Sequence, residues 1–81
     1  MKLYSYKGRC NLAGERIREA REDAGLSQEQ LAAKLQLAGL EITQKSISRI
    51  ETGLRVIPDY ELAFFAAALN KTVLWLLGID E

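Results

Sequence analysis

Residues 26–53 read LSQEQLAAKLQLAGLEITQKSISRIETG. The caps and apolar spacing of this stretch predict two short helices joined by a glycine-containing connection. Ser27 followed by Gln30 is the S-x-x-Q form of a capping box, which satisfies two otherwise orphaned backbone donors reciprocally. Leu31, Ala32, Leu35 and Ala38 then share one face of a helical period. Gly39 ends this helix, because glycine takes the left-handed conformation there without steric cost. Thr43 caps the second helix. Its apolar face is Ile47 and Ile50, with Leu54 continuing the spacing. The outer face carries Gln44, Lys45, Ser48 and Arg49. Such a face donates and accepts hydrogen bonds, is positively charged, and suits the floor of a DNA major groove. The same residues also fit the polar side of an ordinary amphipathic helix.

On the N-terminal side, Asn11 is a good cap for a helix running to about Ala24. Ala13, Ile17, Ala20 and Ala24 face inward in this reading, and Glu15, Arg16, Arg18, Glu19, Glu22 and Asp23 form the solvated side. Gly25 ends that helix and Leu26 staples the start of the next. Residues 1–10 (MKLYSYKGRC) form an arm, either a short strand or a loose segment. Lys2, Lys7 and Arg9 either reach phosphates from it or remain solvated. Tyr4 and Tyr6 tuck against the domain.

On the C-terminal side, residues 53–58 form a loop and Pro58 marks the next helix start. Leu62, Phe65, Ala66 and Leu69 are the inward face of a helix over Tyr60–Leu69. Thr72 caps a last helix, Val73–Leu77, in which Val73, Leu76 and Leu77 close the core and Gly78 ends the turn. Phe64, Leu74 and Trp75 stand off these inward stripes. Clustered apolar side chains of this kind mark a partner surface, with partial burial under the N-terminal arm as the alternative. A two-fold patch centred on Leu74 and Trp75, with Phe64 beside them and Asp80 and Glu81 at the rim, would join two copies of the chain.

Five helices with short connections give an all-α fold within one domain of 81 residues, the helical core spanning 12–78. With 48% hydrophobic residues the chain is too apolar for a disordered tail. No apolar run approaches the roughly 18 residues of a membrane span, and no signal peptide is evident, so the expected compartment is the cytoplasm. Cys10 is the one cysteine and there is no histidine. An internal disulfide is therefore excluded, and metal ligands and acid–base pairs are scarce. Cys10 is a small bystander or a redox sensor. The expectation is a non-enzyme without cofactor. Eleven basic and eleven acidic residues cancel, but their distribution does not. Residues 1–55 carry ten Lys/Arg against seven Asp/Glu, whereas residues 56–81 carry one against four. A binding end and a non-binding end would look like this.

Three motifs in this order, IREAREDAGLSQEQLA, ISRIETG, and ELAFFAAALN with TVLWLLG, resemble the phage-repressor and Cro type of helix-turn-helix protein, the XRE family. The resemblance covers roughly residues 12–78 and implies a compact five-helix, lambda-repressor-like DNA-binding domain with a short N-terminal arm. In that family the second helix of the pair lies in the major groove and the first crosses the backbone. The implied base contacts are Gln44, Lys45 and Ser48, with Arg49 at a base or a phosphate. Gln28 would bond a phosphate and brace Gln44, and Thr43 and Arg55 would sit at phosphates. Arg21 and Glu51 match an internal salt bridge of such domains.

One departure stands out. Between Ala32 and Ile47 the chain is about five residues longer than the common pattern, as in a bacterial subset with similar QKSISRIETG and DYEL blocks. QLAGLEIT is expected to extend the first helix of the pair by a turn and lengthen the connection, with Leu40 and Ile42 anchoring it. Glu41 would then lie near the recognition face, repelling phosphate or accepting from cytosine N4.

The resulting expectation is a sequence-specific double-stranded DNA-binding transcriptional regulator, a repressor acting as a homodimer. The alternative is a protein-interaction module, such as an antitoxin or a regulatory subunit with a protein partner.

Overall fold

Caps and left-handed residues divide the chain into five helices in the computed structural model, which describes residues 5–79. These are α1 (Gly14–Asp23), α2 (Gln28–Leu37), α3 (Gln44–Glu51), α4 (Asp59–Leu69) and α5 (Val73–Leu76). The fold is all-α. Among the described residues the only extended pairing is an isolated bridge between Tyr6 and Arg9. The expectations for Lys2 and Tyr4, and for Asp80 and Glu81, lie outside the described residues.

The capping box at α2 is complete: Ser27 Oγ accepts from the Gln30 amide at 3.0 Å, and Gln30 Oε1 accepts from the Ser27 amide at 2.8 Å. Thr43 Oγ1 accepts from the Ser46 amide to start α3, and Thr72 Oγ1 from the Trp75 amide to start α5. Asn70 ends α4 in the left-handed conformation that asparagine tolerates better than most residues.

The core gathers one face from each helix. Ile17 and Ala20 come from α1, Leu31, Ala32 and Leu35 from α2, and Ile47 and Ile50 from α3. Phe65, Ala66 and Leu69 of α4 and Leu76 of α5 complete it. Each large fully buried side chain contributes about 1.5–3 kcal/mol by leaving water. The stripes of α2, α3 and α4 were readable as helical periods because burial here follows one face per helix.

Several expectations at element ends give way. Ala24 and Ala38 are exposed, since α1 stops at Asp23 and α2 at Leu37. Leu54 is 63% exposed, because Gly53 at φ +81° turns the chain off the α3 axis before the spacing reaches it. Val73 is exposed: a helix of four residues buries only Leu76 fully, with Leu77 half-buried. Tyr6 is exposed, not tucked against the domain. Phe64 and Trp75 are half-buried and pack against the core, whereas Leu74 is 43% exposed. Two cations also lie over the Trp75 ring, Arg16 at 4.7 Å and Lys71 at 4.5 Å from its centroid. The ring's negative face attracts such charges.

Candidate nucleic-acid interface

α3 is an eight-residue helix, about 12 Å long at 1.5 Å per residue. Ile47, Ile50 and Glu51 are its buried residues. Gln44, Lys45 and Arg49 are exposed and Ser48 is half-buried beside them. The four expected base-contact residues therefore share the outer side of one short helix. Thr43, at its N-cap, is exposed as well. α2 is the helix that packs most extensively on α3, which completes the helix-turn-helix pair.

The long connection, residues 38–43, is a packed element. Leu40 and Ile42 are buried in the core, and Gln36 Nε2 donates to the Ile42 carbonyl at 2.7 Å. Two apolar anchors and one side-chain hydrogen bond fix how the chain enters α3. Glu41 lies between the anchors and is exposed.

A relay of side chains ties α3 to α1 and α2. Arg21 of α1 grips the Glu51 carboxylate with two hydrogen bonds, Nε to Oε2 at 2.7 Å and Nη2 to Oε1 at 3.0 Å. The Glu51 side chain is 3% exposed and that of Arg21 11%. Hydrogen bonding to Glu51, opposed in part by burial, holds the Arg21 guanidinium above its ordinary pKa. Gln28 Nε2 donates to the same Glu51 Oε1 at 3.0 Å, and Gln28 Oε1 accepts from Gln44 Nε2 at 2.6 Å. The brace between Gln28 and Gln44 is thus rooted in a buried ion pair.

The other end of α3 is held by residues that the sequence did not single out for this purpose. Arg9 Nη2 donates to the Glu51 carbonyl at 3.0 Å, while its Nη1 lies 3.4 Å from Glu15. Asn11 Nδ2 donates to the carbonyls of Ile50 at 3.0 Å and Arg55 at 2.8 Å. Asn11 Oδ1 accepts from the Gly14 amide at 2.7 Å, but α1 begins at Gly14 with Ala13 as its N-cap, so Asn11 stands two residues ahead of the cap position expected of it. Arg9 is therefore no solvated arm residue; it caps the carbonyl end of α3, where a cation and a donor are both favourable. The glycines at 14 and 53 were the available signal, since side chains there would collide with Arg9.

Arg55 is drawn toward α4. Its Nη1 and Nη2 donate to the two carboxylate oxygens of Glu61 at 2.7 and 3.1 Å, and Nη1 also donates to the Val56 carbonyl. This hydrogen bonding, against some desolvation, raises the Arg55 pKa. It also explains why Glu61, on an otherwise apolar face of α4, is buried.

Among the described residues, no helix is long and apolar enough to cross a membrane. No described group of His, Cys, Asp and Glu is placed to hold a metal ion. No curated protein and no solved structure matches the chain. A helix-turn-helix family model matches residues 17–76, from the middle of α1 to the end of α5. With the buried pair, the braced glutamines and the exposed face of α3 all inside that span, the chain belongs to the XRE-type helix-turn-helix family of DNA-binding regulators.

Proposed function

We propose that the protein is a homodimeric transcriptional repressor, working where the DNA is, in the cytoplasm. Two copies of α3 enter successive major grooves about 34 Å apart and block a promoter sterically. One observation carries this reading. α3 turns every apolar side chain inward and leaves Gln44, Lys45, Ser48 and Arg49 outward on a helix held at both ends. Lys45 suits guanine O6 and N7, and Gln44 suits adenine. Thr43 and Gln28 are assigned to the phosphates that flank the helix. Arg55 approaches phosphate only with the N–H groups that Glu61 and Val56 leave, at Nε and Nη2. Selection of bound duplexes from a random library tests the assignment. Gln44→Ala or Lys45→Ala should cost about 1–3 kcal/mol on the best site and relax preference at one base pair. A Lys45→Ala protein that weakens on every sequence equally would remove lysine from the base readers.

The dimer is proposed at the C-terminal end. Leu74 and Ile79 are exposed there, with the half-buried Trp75 and Phe64 nearby in the chain. The occupant is a second copy, since one helix of eight residues reads too few base pairs to be selective alone. Leu74→Asp keeps the fold, because this side chain is not in the core, and should yield monomers in light scattering with weaker DNA binding. A variant that still dimerises moves the interface elsewhere. Trp75→Ala is a less clean probe, as it also removes the stack with Arg16 and Lys71.

A further inference from the structure

We infer that the buried Arg21–Glu51 pair sets which base Gln44 accepts, acting through Gln28. The inference rests on the reading of α3 as the DNA-contacting helix. It follows from counting donors along the relay. The Glu51 carboxylate, gripped by Arg21 through two hydrogen bonds, has only lone pairs to offer. Gln28 must therefore turn its Nε2 toward Glu51, as it does at 3.0 Å. That leaves Gln28 with only its carbonyl oxygen for Gln44, which must answer with Nε2, at 2.6 Å.

The consequence lies at the free end of Gln44. One of its two N–H groups is committed to Gln28, so it presents one N–H and one carbonyl oxygen. Adenine offers N7 as acceptor and N6–H as donor, and matches both. Guanine offers two acceptors, N7 and O6, and would need both N–H groups of Gln44. The terminal amide torsion of a free glutamine is broad and two-fold, so an unbraced Gln44 could turn both donors to guanine. With Gln28 in place that arrangement is lost, and Gln44 Oε1 would face O6, acceptor against acceptor. Gln28 and Glu51 are thus positioning residues for specificity, neither of which needs to touch the base.

The test compares adenine with guanine at the base pair that Gln44 reads. Affinities are measured by titrating matched duplexes that differ only there. The site is first selected with the wild-type protein, which should prefer adenine. Gln28→Met keeps the length of the side chain and removes both polar ends. Its adenine-over-guanine ratio should fall about tenfold, within the range for a bidentate base contact. Glu51→Gln keeps the shape but supplies a donor as well as an acceptor, so both orientations of Gln28 become available. Its ratio should fall too, although Gln28 is intact. A loss of phosphate contact or a loosened fold would weaken both duplexes alike and leave the ratio unchanged.

Circular dichroism establishes that each variant is folded at the titration temperature. Glu51→Gln, titrated at a temperature where it is folded, tests the part played by the pair: a wild-type ratio there overturns the inference even if Gln28→Met lowers the ratio. A folded Gln28→Met protein with the wild-type ratio overturns the inference, as does a wild-type preference for guanine. A wild-type protein that binds no duplex would instead remove the DNA reading on which the inference rests.

Discussion

Replacing Glu51 by alanine should lower stability by about 3–5 kcal/mol, the usual loss when one partner of a buried ion pair is removed. The Arg21 side chain is only 11% exposed and would lose two of its three hydrogen bonds, keeping the one to the Leu26 carbonyl. Water cannot fully replace them at that depth, so an uncompensated charge remains inside the fold. Gln28 loses its anchor as well, and with it the hold on Gln44. Urea denaturation of Glu51→Ala, Arg21→Ala and the double variant gives the coupling energy directly. The double variant should lose much less than the sum of the single changes, because removing both partners leaves no stranded charge. A coupling energy near zero would mean that the pair is incidental and Arg21 is free for other work.

Gly14→Ala should also destabilise, by about 3 kcal/mol, at the upper end for overpacking a filled site. Helix propensity alone predicts the opposite sign, since alanine is favoured over glycine inside a helix by roughly 1 kcal/mol. Space decides against propensity here. A Cβ at Gly14 would overlap the Ile50 carbonyl oxygen, and would come within 2.8 Å of both Arg9 Nη2 and Asn11 Oδ1. The first of these is backbone and cannot swing away. α1 and the end of α3 would have to separate, which also disturbs the seating of the recognition helix. The measurement is the urea midpoint of the variant. A neutral or raised midpoint would contradict the close approach of these two helices.

Much of this was legible in the sequence wherever a local rule coincided with the global fold. Ser27 with Gln30, and Thr43, announced two helix starts because a hydroxyl cap acts within three residues of itself. Ile47 and Ile50 announced the inner face of α3, leaving Gln44, Lys45, Ser48 and Arg49 outside by elimination. Long-range partners were less legible. Arg9 sits 42 positions from the carbonyl it caps, and nothing in MKLYSYKGR marks it off from any other arm arginine. Glu61 likewise looks like a surface carboxylate until Arg55 is brought against it. Helix ends were the other weak point. The period at Leu54 and Val73 continued in the sequence after the helix had turned or become too short to bury them. The pairing of Arg21 with Glu51 came from family resemblance, and spacing alone would not have found it.

The most direct test of the central claim is the affinity of the protein for random-sequence duplex DNA as salt is raised. A helix that places Lys45 and Arg49 against the groove, with Arg55 at a flanking phosphate, releases condensed counterions on binding. The logarithm of the affinity should then fall linearly with the logarithm of salt concentration, by about 0.9 for each phosphate neutralised. The account predicts measurable binding at low salt and a slope of several units for the dimer. It also predicts a smaller slope when Lys45 and Arg49 are both replaced by alanine. No binding at the lowest salt, from a protein folded and dimeric in the same buffer, would contradict it and leave α3 as a surface for a protein partner.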